Sequence, residues 1–211
     1  GGNEIFTVEQ NISVPIEDKI CFNNYNNSVV DVYYSYHFTL SDERRNEELH
    51  CLEVLDSVLF KGFKAYITET LRDKKGLLYE IDSCMFVNDN EVILLFEFTA
   101  LRYAIVKVIK ILEDMLNTFK MDEKYFKYHK AFMCDNIEIL HDNIQDYAYQ
   151  IISLSIETKE LMTPEKSAEQ LAKISLERID EIYQKLIETK QVYFCGRLFR
   201  RDRKELKTLI K

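Results

Sequence analysis

The chain has 211 residues, 46% of them hydrophobic and 30% charged, which is ordinary globular usage and fits one large domain or two small ones. Its net charge of −8 argues against a nucleic-acid partner, which needs a basic stripe to meet phosphates, and gives no pull toward an anionic membrane. No signal peptide and no apolar run of about 18 residues is present, so nothing reads as a bilayer span.

In chain order, Gly1 and Gly2 read as a tag remnant, and the sequence suits a piece of a longer two-domain protein. With only 5 Gly and 2 Pro, few linkers are possible, and residues 1–211 read as a single domain. Asn23 to Ser28 is the clearest loop, because Asn tolerates turn conformations. Val29 to Leu40 is β-branched, aromatic and roughly alternating, hence a strand. Ser41 is expected to cap a helix with Asp42 and Glu43 in its first turn. Leu49, Leu52, Leu55 and Leu59, mixed with Val54 and Val58, give that helix a buried face. A second helix is expected from about Lys64 to Lys74, stopped by Gly76.

Leu77 to Phe86 and Glu91 to Phe98 are apolar runs joined by Val87-Asn88-Asp89-Asn90, a hairpin signal. Helical patterns then continue to about residue 190. The first carries Ile105, Val108, Ile109, Leu112, Met115 and Leu116, and further ones run from Asp122 to Ile139 and around Tyr147 to Ile156. Thr163-Pro164-Glu165 is a helix start, with Thr as the cap and Pro in the first position. Ser175 caps another helix, with Ile179, Ile182, Tyr183 and Leu186 on one face. Gln191 to Cys195 is a short last strand. The basic run Arg197, Arg200, Arg201, Arg203 and Lys204 follows and is expected to be a solvated tail. The resulting fold class is α+β, with one mostly antiparallel sheet packed by several helices.

The chemistry is sparse. Cysteines at 21, 51, 84, 134 and 195 are odd in number and form no C-x-x-C pair. They are expected to be buried and inert, in a reducing, cytoplasmic setting. His37, His50, His129 and His141 show no H-x-x-E-H, H-E-x-x-H or H-x-x-x-H spacing, so no zinc site arises from one helix. His50 follows Glu47 and Glu48 but has no second histidine nearby, and it reads as a helix-surface or core-edge residue. No nucleophile elbow, phosphate loop or dinucleotide fingerprint occurs.

The most informative segment is Glu69 to Asp82, E-T-L-R-D-K-K-G-L-L-Y-E-I-D. A helix ends in basic residues, Gly76 stops it, and an apolar run begins. A chain reversal between Arg72 and Tyr79 could bring guanidinium and phenol to one side, both able to donate to a peptide carbonyl. Equally, Arg72 could serve the helix dipole while Tyr79 sits half-buried in a strand.

This segment resembles the E-x-L-R-E-K-x-G-L-x-Y stretch of the pitrilysin/insulinase family of zinc metallopeptidases, the inverzincins. The order of elements around it also matches: the strand Val-Val-Asp-Val-Tyr-Tyr-Ser-Tyr-His-Phe, the L-x-x-L-x-x-L helix, and Met121 to Phe132 in the long helical region. The resemblance implies a metallopeptidase-type αβ layered domain. Family members pair an H-x-x-E-H domain holding zinc with a homologous domain lacking it, fused in cis or on a separate subunit. The second kind supplies an Arg/Tyr pair to the substrate. Lacking H-x-x-E-H, this chain looks like the second kind, with the pair falling on Arg72 and Tyr79. The resemblance implies no catalytic residue and no cofactor of its own, zinc only in the partner domain, and a peptide or unfolded polypeptide as substrate. It implies that the pair steadies the substrate backbone and the oxyanion formed during hydrolysis. Two departures stand out: Phe60-Lys61-Gly62-Phe63-Lys64 replaces the family's Gly/Ser-rich turn, and the strands are less Gly-rich. A catalytically dead scaffold of the same fold is the alternative. The Lys, Asn and Ile richness would suit a low-GC bacterium.

Overall fold

The computed structural model describes residues 19–24, 26–61, 64–140 and 143–210, without side chains for 136–140. Gly1 and Gly2, expected to be a tag remnant, the Gly62-Phe63 part of the expected altered turn, and His141 lie outside the described residues.

Among the described residues five strands form one sheet in the order β1-β5-β2-β4-β3. They are β1 (Ile20–Asn23), β2 (Val29–Thr39), β3 (Ile81–Asn88), β4 (Glu91–Leu101) and β5 (Gln191–Gly196). Only β1 and β5 run parallel; all other neighbours are antiparallel. Alternation decides the two faces. On β2, Val30, Val32, Tyr34, Tyr36 and Phe38 are buried, while Asp31, Tyr33, Ser35 and His37 between them face the other way. Register carries the same division to β4, where Phe96 stands opposite Tyr34 and Glu97 opposite Tyr33.

The helices pack on the first face. They are α1 (Arg45–Leu59), α2 (Tyr66–Thr68), α3 (Ile105–Thr118), α4 (Glu123–Leu140), α5 (Ile144–Thr158), α6 (Pro164–Ala172), α7 (Leu176–Glu188) and α8 (Arg200–Leu209). The leucine and valine positions anticipated on α1 are all buried, as are those on α3 and α7. Rings supply much of the cohesion: Phe60 stacks on Phe96 at 4.2 Å, and Phe119 meets Tyr183 edge-on at 5.0 Å. The hairpin turns at Asp89, whose φ of 53° is a left-handed conformation that Asp tolerates. Thr163 and Ser175 cap α6 and α7 as expected, accepting from the Lys166 and Arg178 amides.

Several local expectations are corrected. Ser41 caps nothing with its side chain; α1 starts at Arg45, and the Ser41 amide instead donates to the Glu48 carboxylate at 2.7 Å. The first loop begins after Asn23, because Ile20–Asn23 pairs with β5. The basic run is not a solvated tail but opens α8, which buries Leu206 and leaves Arg200, Arg201 and Lys204 exposed. Of the five cysteines only Cys51 is buried, and burial pushes its thiol up to about 12. Cys84 and Cys134 are partly exposed yet also raised, chiefly by desolvation, so neither is a ready thiolate. Among the described residues no helix is long and apolar enough to cross a membrane.

Candidate functional site

The expected second helix divides in two. After the single α turn of α2, residues Glu69–Lys74 form a π-helix. π segments are rare and often occur at functional sites. Leu71 anchors this one in the core, and the helix ends as the glycine signal requires. Gly76 takes φ +59°, and an added Cβ there would meet nothing within 4 Å. The demand is therefore purely conformational. The Gly76 amide donates to the Arg72 carbonyl at 3.0 Å, and the Leu77 amide to Leu71 at 2.9 Å. These bonds tie the exit of the helix to the turn that carries Arg72.

Arg72 points to solvent with 41% of its side chain exposed, and its Nε donates to Asp73 Oδ1 at 2.8 Å. Its two terminal nitrogens carry no bond among the described residues. Tyr79 is 63% exposed, and its hydroxyl likewise bonds to nothing there. The strand does not begin at Leu77 as expected but at Ile81, so Tyr79 is not a half-buried strand residue. It sits in the lead-in, held by its amide donating to the Thr99 carbonyl at 3.2 Å, while the Thr99 amide donates to Glu80 at 3.1 Å. Both predicted site residues thus reach solvent with unused donors.

The residues that follow Tyr79 reach the open face of the sheet. Glu80, Ile81 and Thr99 line a hollow of about 390 Å³ together with Asp31, Tyr33, Asp82 and Glu97. The Tyr33 hydroxyl is raised, first by desolvation and then by the negative Asp31 and Glu97. This end of the face is negative in character. Nothing in the sequence marked these carboxylates, because they are brought together by strand register rather than by spacing. Beyond them β3 is an edge strand, paired only with β4 among the described residues.

The histidines do not converge. His50 is interior, not at the surface, with Nδ1 2.9 Å from Glu53 Oε2; His129 Nδ1 lies 3.0 Å from Ser57 Oγ; His37 lies on β2 beside Ser35. Among the described residues no three His, Cys, Asp or Glu side chains gather to hold a metal ion.

No protein-family model matches the sequence, and no curated protein matches it either. Solved structures do. A protease from Helicobacter pylori superposes with TM-score 0.70 over 84% of this chain and 44% of its own, at 14% identity. A peptidase M16 inactive domain from Pseudomonas fluorescens gives 0.64 over 85% and 44%, also at 14% identity. The periplasmic protease PqqL from Escherichia coli gives 0.66 over 84% of this chain but 20% of its own, at 13% identity. The chain therefore has the α+β fold of M16-like peptidase domains, and it spans less than half the length of these neighbours.

Proposed function

We propose that this chain is the non-catalytic half of a two-part zinc metallopeptidase, holding an extended peptide or unfolded polypeptide for a homologous H-x-x-E-H domain, fused or separate. One observation carries the reading. Arg72 and Tyr79, the two positions matched by the resemblance, stand on the surface with free donors, just ahead of an edge strand. A buried or fully satisfied pair would have no hydrogen bond to give. An Arg fork and a phenol suit a peptide carbonyl, because both are donors and neither needs to lose a proton. The edge of β3, which pairs only with β4 among the described residues, suits an extended chain, which could add to the sheet through main-chain hydrogen bonds.

The fold of the neighbours supports the reading, and one of them is described as an inactive domain. The sequence lacks the H-x-x-E-H pair, so hydrolysis is assigned to the partner. We place the chain in the cytoplasm on its odd cysteine count and lack of C-x-x-C, although one neighbour is periplasmic. The scaffold alternative draws support from one contact, the Arg72–Asp73 pair, which occupies one guanidinium nitrogen.

The holding role is tested by fluorescence anisotropy of a labelled extended peptide on the chain alone, for wild type, Arg72→Ala and Tyr79→Phe. Saturable binding that weakens in both variants supports it. Saturable binding indifferent to both assigns the pair to structure and favours the scaffold.

A further inference from the structure

Away from Arg72 and Tyr79, neither of which lines it, α1, α4, α5 and α6 enclose a groove of about 450 Å³ that the peptide-holding role does not use. Its polar wall comes from Glu53 and Asp56 of α1, Glu157 of α5, and Lys61. Its apolar wall comes from Met133, Leu154 and Leu171.

The charges in this groove are not balanced. Asp56 is only 4% exposed, yet its Oδ1 has no hydrogen-bond partner among the described residues. Lys61 serves only the other oxygen, at 2.8 Å, and is itself half exposed. A carboxylate oxygen buried without a donor is costly, and native interiors rarely leave one so. Glu157 is raised, first by burial and then by the like charge of Glu53. Glu53 is engaged by the His50 ring at 2.9 Å and Glu157 by the Ser153 hydroxyl at 3.1 Å, both weak answers to a full negative charge. Arg45 approaches from α1 but spends its Nε on the Glu157 main-chain carbonyl and its terminal nitrogens on Asn90 and Asp89. Among the lining residues three carboxylates face one ammonium, while the Arg45 charge eases Glu157 from outside the groove.

We propose that this groove binds an organic ammonium ion with an apolar stem, either a free alkylamine or a lysine side chain of a polypeptide. An ammonium brings three donors and one positive charge to this acidic wall, where Asp56 Oδ1 has no partner among the described residues. Its methylenes lie along Met133, Leu154 and Leu171, in the usual manner of long cationic side chains. A metal ion fits less well, since the described residues gather no three-ligand group there.

Isothermal titration at neutral pH with n-hexylamine tests the site, with hexan-1-ol as the uncharged isostere. A blocked apolar peptide carrying one lysine, set against its norleucine counterpart, distinguishes the two sources. Hexylamine is expected to bind saturably, one per chain, and hexanol not to bind. Asp56→Asn and Glu157→Gln should each weaken binding by about tenfold or more, the loss of a charged hydrogen bond. Glu205→Gln on α8, remote from the groove, should change nothing. A lysine peptide tighter than hexylamine identifies a polypeptide ligand, and the reverse identifies a free amine. The proposal is overturned if no saturable binding occurs up to about 10 mM, if hexanol binds equally, or if the carboxylate variants bind like wild type. Should Asp56→Asn fail to fold by circular dichroism, Glu157→Gln and Glu53→Gln carry the same comparison.

Discussion

The interior joins a cation, a carboxylate and a phenol by direct bonds, the segment from Arg72 to Tyr79 carries the same three groups at the surface, and the two are opposites. In the interior, Tyr34 of β2 donates to Glu113 Oε1 of α3 at 2.9 Å, and Lys190, just before β5, pairs with Glu113 Oε2. All three are buried, and the Tyr34 hydroxyl is held far above its ordinary value by burial and then by the Glu113 charge. Near the surface, Arg72 pairs only with its neighbour Asp73, and Tyr79 pairs with nothing described. The same chemistry serves architecture where every group is satisfied and water is excluded, and it is available to a ligand where donors are left over. The buried trio ties α3 to the sheet and to the entry of β5. The exposed pair ties nothing together, which is why we assign it to peptide.

This contrast can be broken from either side. The largest effect is expected inside. Glu113→Ala leaves the Lys190 charge buried and unpaired, and should cost about 3–5 kcal/mol in denaturant unfolding. A loss under about 1 kcal/mol would mean that water reaches Lys190. Next, Gly76→Ala forces an L-residue into φ +59° and should cost about 1–2 kcal/mol, with no steric clash to add to it.

A pH effect sharpens the interior side. Burial lowers the His129 pKa below its ordinary 6.5, so the unfolded chain binds the proton more readily than the folded one. Stability is therefore lost as pH falls through 6.5 toward the depressed folded value, by up to about 1.4 kcal/mol per pH unit. Thermal melts between pH 7.5 and about 5.5 should show this acid slope, and His129→Gln should flatten it. The smallest effect is expected at the surface. Arg72→Ala and Tyr79→Phe should each change unfolding by no more than about 0.5 kcal/mol, because an exposed ion pair and a free hydroxyl hold little.

Legibility in the sequence followed the same division. Strands and helices with a clear apolar period were readable: Val30 to Phe38 by alternation, Leu49 to Leu59 and Ile105 to Leu116 by helical spacing. The π-helix was not, since Glu69–Lys74 has the composition of any polar helix and only its hydrogen bonding differs. The helix α8 was hidden because five of its ten residues are basic and only Leu206 is buried. The strand β1 was too short to show alternation. Glu113 did leave a trace. It stands four residues after the buried Ile109, on the apolar face of α3, and a carboxylate there demands a partner. Lys190 gave no such signal, because its position depends on the turn after α7. Arg72 and Tyr79 were singled out through the motif they stand in, while the carboxylates near Glu80 and around Asp56 emerge only from tertiary packing.

The most direct measurement mixes the chain with a homologous H-x-x-E-H partner and follows hydrolysis of a quenched peptide library. Wild type is compared with Arg72→Ala and Tyr79→Phe, both first shown to be fully folded. If the pair holds substrate, activity should appear only in the mixture and fall by about tenfold or more in each variant. An active mixture in which both variants match wild type would contradict the assignment and leave this chain a scaffold.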